Sequence, residues 1–156
     1  MNLPTRLYAR LSAALDGLAP VADLALRLAV AEVFLKSGLN KIQSWESTLA
    51  LFEYEYAVPL LPPVLAAYLG TAAELALPGL LALGFLGRIP ALGLFLFNIV
   101  AVVSYPDLSD SGLQFHILWG LLLAVTLTRG PGAFALDRLL GRWFETRRPP
   151  AARRAG

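Results

Sequence analysis

The chain contains no cysteine, which removes disulfides, thiol redox chemistry and cysteine-bound haem, zinc or iron–sulfur centres from what it can do alone. It contains one histidine, His116, so a histidine-rich metal site would need ligands from other subunits, and no metal site is expected. Charge is scarce as well: 15% of the 156 residues are charged, against about 25% in ordinary soluble proteins. In place of charge stand runs of Leu, Ala, Val, Phe and Gly that are apolar nearly all round. Such runs leave no polar face for a water-soluble bundle. A membrane protein is expected, because a spanning helix needs roughly 20 residues of this kind.

The runs fit an all-α, four-helix transmembrane bundle occupying residues 19–132, with spans at about 20–39, 64–83, 86–105 and 112–128. Pro20 suits the first turn of the first span, and Pro59, Pro62 and Pro63 precede the second, which Pro78 is expected to kink. Short amphipathic helices are expected at both ends, lying in the membrane interface. In the segment 1–18, Leu7, Tyr8, Leu11, Leu15 and Leu18 recur at helical spacing, with Arg6 and Arg10 turned aside. In 133–145, Phe134, Leu136, Leu139, Leu140, Trp143 and Phe144 oppose Asp137, Arg138 and Arg142. Residues 146–156 read as a disordered basic tail. The stretch 40–59 reads as a polar and aromatic connection whose Trp and Tyr fit the headgroup belt. The first span is expected to be retained, because it carries Asp23, Arg27, Glu32 and Lys36 and lacks a clear cleavage site.

Basic residues set the orientation. Arg6, Arg10, Arg88 and the arginines from Arg129 onward fall on one side of a four-crossing arrangement. Glu46, Glu53, Glu55, Asp107 and Asp110 fall on the other, with Lys36 and Lys41. The positive-inside rule places both termini in the cytoplasm. The arginine-rich end suits anionic lipid rather than nucleic acid, for which no recognition motif is present.

Polar groups within the spans are the candidate site. An ionised side chain inside the bilayer costs several kcal/mol by most estimates (about 3 or more), so each needs a partner or a purpose. Arg27 and Glu32 lie near the middle of the first span, and the pairs Asp23/Arg27 and Glu32/Lys36 each share a helix face. Glu74, central in the second span, has no opposite charge nearby in sequence; it would take a proton or pair with Arg27 across the bundle. Two readings fit, an ionic bolt between helices or a substrate, proton or quinone site. Asn98 in the third span and Gln114 beside His116 in the fourth add hydrogen-bonding capacity. Glu32, Lys36, Gln114 and His116 share the outer half of the bilayer, which suggests a site opening outward. On this reading Glu32, Glu74 and His116 are the proton-handling candidates, and Arg27, Lys36, Asn40, Lys41, Asn98 and Gln114 the substrate-binding ones. Arg27, Glu32 and Glu74 are expected to meet at the bundle centre.

The stretch Gly38-Leu39-Asn40-Lys41-Ile42, followed by Trp45, Thr48 and Phe52, resembles the DoxX family of small bacterial four-helix membrane proteins. So do Glu74 with Gly79, Leu83-Gly84 and Arg88, and the later series His116, Trp119-Gly120, Gly130-Pro131-Gly132 and Asp137. The likeness runs over about residues 24–140. It implies the bacterial plasma membrane and association with membrane oxidoreductase complexes, including quinone-reducing ones. It implies no agreed catalytic residue set, and a chain without cysteine offers no thiol to relay sulfur.

Three functions compete. The first is a subunit of a redox-linked complex that binds quinone, or a small polar substrate, at the outward-facing site. Its side chains supply protons, and a soluble or membrane redox partner must supply electrons. The second is a small transporter or exporter, which would need a homo-oligomer. The third is a structural or assembly subunit without chemistry of its own.

Overall fold

The computed structural model describes residues 3–147. Among them it contains six helices and no strand: α1 (Leu3–Gln43), α2 (Trp45–Tyr54), α3 (Pro63–Leu83), α4 (Ile89–Ser104), α5 (Asp110–Arg129) and α6 (Leu136–Arg147). Local chemistry explains several boundaries. Pro63 sits in the first turn of α3, where a missing N–H costs nothing. Gly84 ends α3 at φ 65°, a left-handed conformation in which a side chain would be strained. The Ser109 hydroxyl accepts the Gly112 N–H at 3.1 Å and caps α5.

Two stretches differ from the sequence-based expectation. The N-terminal amphipathic segment and the first apolar run form one helix of 41 residues with Pro20 inside it, not a separate helix and a span opened by proline. Pro20 forfeits the bond to the carbonyl of Asp16, but this turn is exposed, so the loss is at its smallest there. The connection at 40–59 contains α2, whose Phe52 packs with Trp45 and Leu49 on Ala66 and Ala67 of α3. Trp45, Leu49 and Phe52 make one apolar face of α2, with Phe52 buried and Trp45 and Tyr56 half-buried beside it, while Tyr54 is exposed. The expected C-terminal amphipathic helix is present as α6. Of the expected tail, residues 146 and 147 belong to α6 and the remainder lies outside the described residues.

α1 packs along α3 more than along any other helix, α4 on α5 and α3, and α2 on α3. The main core joins Val30, Ala31 and Phe34 of α1 with Leu81, Ala91, Leu94 and Leu123. α1 and α3 approach closely at Gly38, where an added Cβ would lie 3.0 Å from the carbonyl carbon and Cβ of Glu74. α3 and α5 are long and apolar enough to cross a membrane; α4 is apolar but has 16 residues.

Candidate functional site

The close contact at Gly38 places α1 and α3 so that Lys41, one turn further along, reaches Glu74. Lys41 Nζ lies 2.6 Å from Glu74 Oε2, and both side chains are nearly buried, at 11% and 7% exposure. The Ser37 hydroxyl completes the arrangement, accepting from Lys41 Nζ at 2.9 Å and donating to Glu74 Oε1 at 3.1 Å. Both carboxylate oxygens are thereby engaged. The Lys41 backbone is fixed in turn by the Thr48 hydroxyl, which donates to its carbonyl at 2.8 Å and ties α2 to the end of α1.

This pair borders a cavity of about 450 Å³ enclosed by α1 to α5. Phe34, Phe97 and Trp119 form an aromatic wall, with Phe34 edge-on to both others at centroid distances of 6.2 and 6.0 Å. His116 lines the same cavity and is clamped by Asn98. Asn98 Nδ2 donates to the His116 carbonyl at 2.9 Å, which leaves Oδ1 as the acceptor facing His116 Nδ1 at 2.7 Å. That assignment puts the proton on Nδ1 and leaves Nε2 as the acceptor of the neutral ring. Replacing Asn98 with leucine is expected to leave His116 Nδ1 without its acceptor, while the carbonyl keeps its bond within α5, and to cost about 1–3 kcal/mol, measurable as a lower unfolding midpoint in lipid nanodiscs.

Tyr56 and Tyr105 close another side of the cavity, edge to face at 5.2 Å. The nearby Ser104 hydroxyl is buried and has no partner within the protein. Burial raises the Tyr56 pKa, and the Glu74 carboxylate, Tyr105 and Glu55 push the same way. The folded protein thus holds the phenol proton after the unfolded chain has released it. The stabilisation from neutral Tyr56 is complete below about pH 10 and is lost as pH rises through the raised folded value. Phenolate absorbance on alkaline titration should show a late component that Tyr56→Phe removes. Ser37, Lys41 and Tyr56 also line an open cleft between α1 and α2, bordered by Asn40, Ser44 and Ser47. The Lys41–Glu74 pair therefore stands between a polar cleft and an apolar cavity.

Several expected site residues lie elsewhere. Arg27, 1% exposed, does not meet Glu74: it precedes Lys41 by 14 positions, about 21 Å along the helix. Its Nη2 donates to the Phe134 carbonyl at 3.3 Å, and Nη1 packs on Gly84 at the carbonyl end of α3. Beside it Arg129 pairs with Asp23 at 2.8 Å, and the Asp137 carboxylate accepts from the Leu86 and Gly87 N–H groups. This end is a joint between α1, α3, α5 and α6. Glu32 and Lys36 pair with each other at 2.6 Å but point away from the core, with side chains 62% and 71% exposed. Glu32 therefore does not reach the bundle centre. Asn40 and Gln114 are exposed, and only Asn40 borders the open cleft. The structure thus unites Glu74, Lys41, Asn98 and His116, and separates them from Arg27, Glu32, Lys36 and Gln114.

Ser37, Tyr56, Ser104 and Tyr105 join the site in the structure without being marked as site residues by the sequence. Ser37 alone carried a usable signal, lying four positions before Lys41 on the face of Phe34 and Gly38.

An all-helical chain with a buried ion pair beside an aromatic cavity, and with helices apolar enough to cross a bilayer, has the makings of a small membrane protein with an internal site. The family profile described as DoxX matches residues 22–106, and the chain belongs to that family, whose members are typically membrane proteins. It is 28% identical over 134 residues to a protein of Haemophilus influenzae named only as uncharacterized, covering 81% of this chain and 88% of the relative. No solved structure matches.

Proposed function

We propose that the chain crosses the bacterial plasma membrane four times, through α1, α3, α4 and α5, with both termini cytoplasmic. We further propose that its cavity binds a quinone, as the membrane subunit of a redox-linked complex. The observation that carries the ligand reading is the buried Lys41–Glu74 pair at the edge of an aromatic-walled cavity. A charged pair that served packing alone would be better enclosed by close contacts than by open space.

The crossing is supported by the apolar length of α3 and α5 and by the large side chains on the outside of the bundle, including Leu65, Leu69, Leu96, Ile99 and Leu121. Such a surface suits lipid better than water. The orientation rests on Arg88 and the C-terminal arginines at one end, against Glu53, Glu55 and Asp107 at the other. It places the Lys41 cleft outside and the Arg27 joint inside.

The residues present fit a quinone. Phe34, Phe97 and Trp119 offer flat apolar faces, while Lys41 Nζ and the unpartnered Ser104 hydroxyl offer donors to carbonyl oxygens. His116 Nε2 can accept a hydrogen bond from a hydroxyl. A bound quinone would supply carbonyl chemistry that takes up two electrons and two protons, the electrons coming from a partner redox protein. This chain would orient the ring, exclude water from it, and pass protons from the open cleft through Ser37, Lys41 and Glu74.

The test is a titration of the protein in nanodiscs with a short-chain quinone, read by quenching of tryptophan fluorescence. Saturable quenching that Trp119→Phe diminishes and Ala73→Phe, which fills the cavity, abolishes would support the reading. Quenching indifferent to Ala73→Phe would refute it.

A further inference from the structure

The face of α1 opposite the core carries a pattern that neither the fold nor the cavity uses. Leu7, Leu11, Ala14, Leu18, Val21, Ala25 and Leu28 follow one another at alternating steps of four and three, the spacing of a coiled-coil seam. All seven are exposed; Leu7, Leu11, Leu18 and Val21 range from 55% to 68%. The stripe crosses Pro20 without interruption, because α1 is one helix. Glu32 and Lys36 continue it. The core face, marked by Arg27, Ala31, Phe34 and Gly38, lies on the opposite side.

We infer that this stripe is the interface of a homodimer, in which α1 lies parallel to α1 of a second copy. Three features select a second copy over other occupants. The first is the heptad spacing, which holds over six steps from Leu7 to Leu28 and keeps a straight seam against another helix, although Leu3, Tyr8 and Leu15 widen the exposed apolar face in the N-terminal turns. The second is charge. In the four-crossing arrangement, on which this inference rests, Glu32 and Lys36 face hydrocarbon, where an exposed pair is costly. A two-fold axis along the membrane normal places each Glu32 within reach of Lys36 of the second copy, one turn along. The four charges then form a closed, neutral cluster. The third is direction. Copies inserted by the same charge rule share one orientation, so their α1 helices meet in parallel and the same residues fall opposite one another. The N-terminal turns also gain a partner that an isolated helix of this length lacks in water.

The absence of cysteine makes the test direct. Single cysteines placed at Leu11, Leu18 and Leu28 in the full chain, in native membranes, should form disulfide-linked dimers under mild oxidation. Cysteines at Ala9, on another side of α1, and at Leu69 of α3 should not. In nanodiscs, Glu32→Lys and Lys36→Glu should each lower dimer association roughly tenfold or more, by placing like charges together. The double exchange should restore it. Equal cross-linking at Ala9 and Leu69, or native mass spectrometry giving monomers in nanodiscs, would overturn the inference. So would no cross-link along the stripe with the N-terminal cysteines shielded by anionic vesicles, which would assign the stripe to the lipid surface. Labelling the Ala9 cysteine, which lies off the seam, with an impermeant maleimide separately tests the topology, since it should react only after the membrane is opened.

Discussion

Lys41→Met is expected to destabilise the protein by about 3–5 kcal/mol. The substitution keeps the length and apolar stem of the side chain and removes only its charge. Glu74, 5% exposed, would then retain the Ser37 hydroxyl as its one hydrogen-bond donor from the site described above. An uncompensated buried carboxylate is among the costliest defects a core can hold. The double variant Lys41→Met/Glu74→Gln should recover most of the loss, because removing both charges removes the defect with the interaction. If the pair serves ligand binding, the rescued protein should fold and yet fail to quench with quinone. Unfolding midpoints in nanodiscs for the wild type, both single variants and the double variant complete the cycle. A single-variant loss below about 1 kcal/mol would mean the pair is in contact with water rather than buried.

The second large effect belongs to Gly38. A methyl group there would press on the backbone of Glu74 and on Leu75 at 3.0 Å, and backbone cannot step aside as a flexible side chain can. Gly38→Ala should cost about 1–3 kcal/mol, and Gly38→Leu considerably more, by driving α1 and α3 apart. The same separation should draw Lys41 from Glu74, so on the proposed reading quinone binding should fall even where Gly38→Ala still folds. Gly79 supplies the control within α3. A Cβ there meets nothing within 4 Å, and Gly79→Ala should be neutral or stabilising by about 0.4–1 kcal/mol. Equal loss at the two glycines would show that helix propensity rather than close approach governs Gly38.

Much of the helical framework was legible because it is written locally. Apolar runs marked α3, α4 and α5, and Pro63, Ser109 and Gly130 punctuated them. Continuity through Pro20 was not legible, since proline signals a boundary in most settings and its tolerance here depends on an exposed turn. α2 was hidden by composition: its acidic and aromatic residues read as a headgroup segment until Phe52 is seen against Ala66 and Ala67. The site was half legible. Glu74, Lys41, Asn98 and His116 could be named from their type and depth, but Lys41 and Glu74 are 33 positions apart and nothing local couples them.

The outward placement of Glu32 follows from helix geometry. Arg27 and Glu32 are five residues apart, about 140° around a helix, so they could not both face one core. Glu32 does pair with Lys36, whereas Asp23 is taken by Arg129 and Arg27 turns to the Phe134 carbonyl. Arg27 thus points inward and Glu32 outward.

The joint at Arg27 has a consequence for how the chain is made. Arg27 and Asp23 reach the membrane among the first residues synthesised, yet their partners Phe134 and Arg129 follow 107 and 106 positions later. At about 5–20 residues per second, α1, as the first crossing of the arrangement proposed above, waits roughly 5–20 s for the Phe134 carbonyl and the Arg129 guanidinium. During that interval Arg27 has only Asp23, one turn before it on α1, to offset its charge, so release of the helix into lipid is costly. In that arrangement it is held at the insertion machinery, or shielded by water at the membrane edge, until the last crossing arrives. A ribosome stalled before Arg129 should leave the nascent chain extractable by alkaline carbonate, whereas one stalled well beyond Phe134 should leave it embedded. The latch that closes the finished bundle would thereby also act as a checkpoint on its completion.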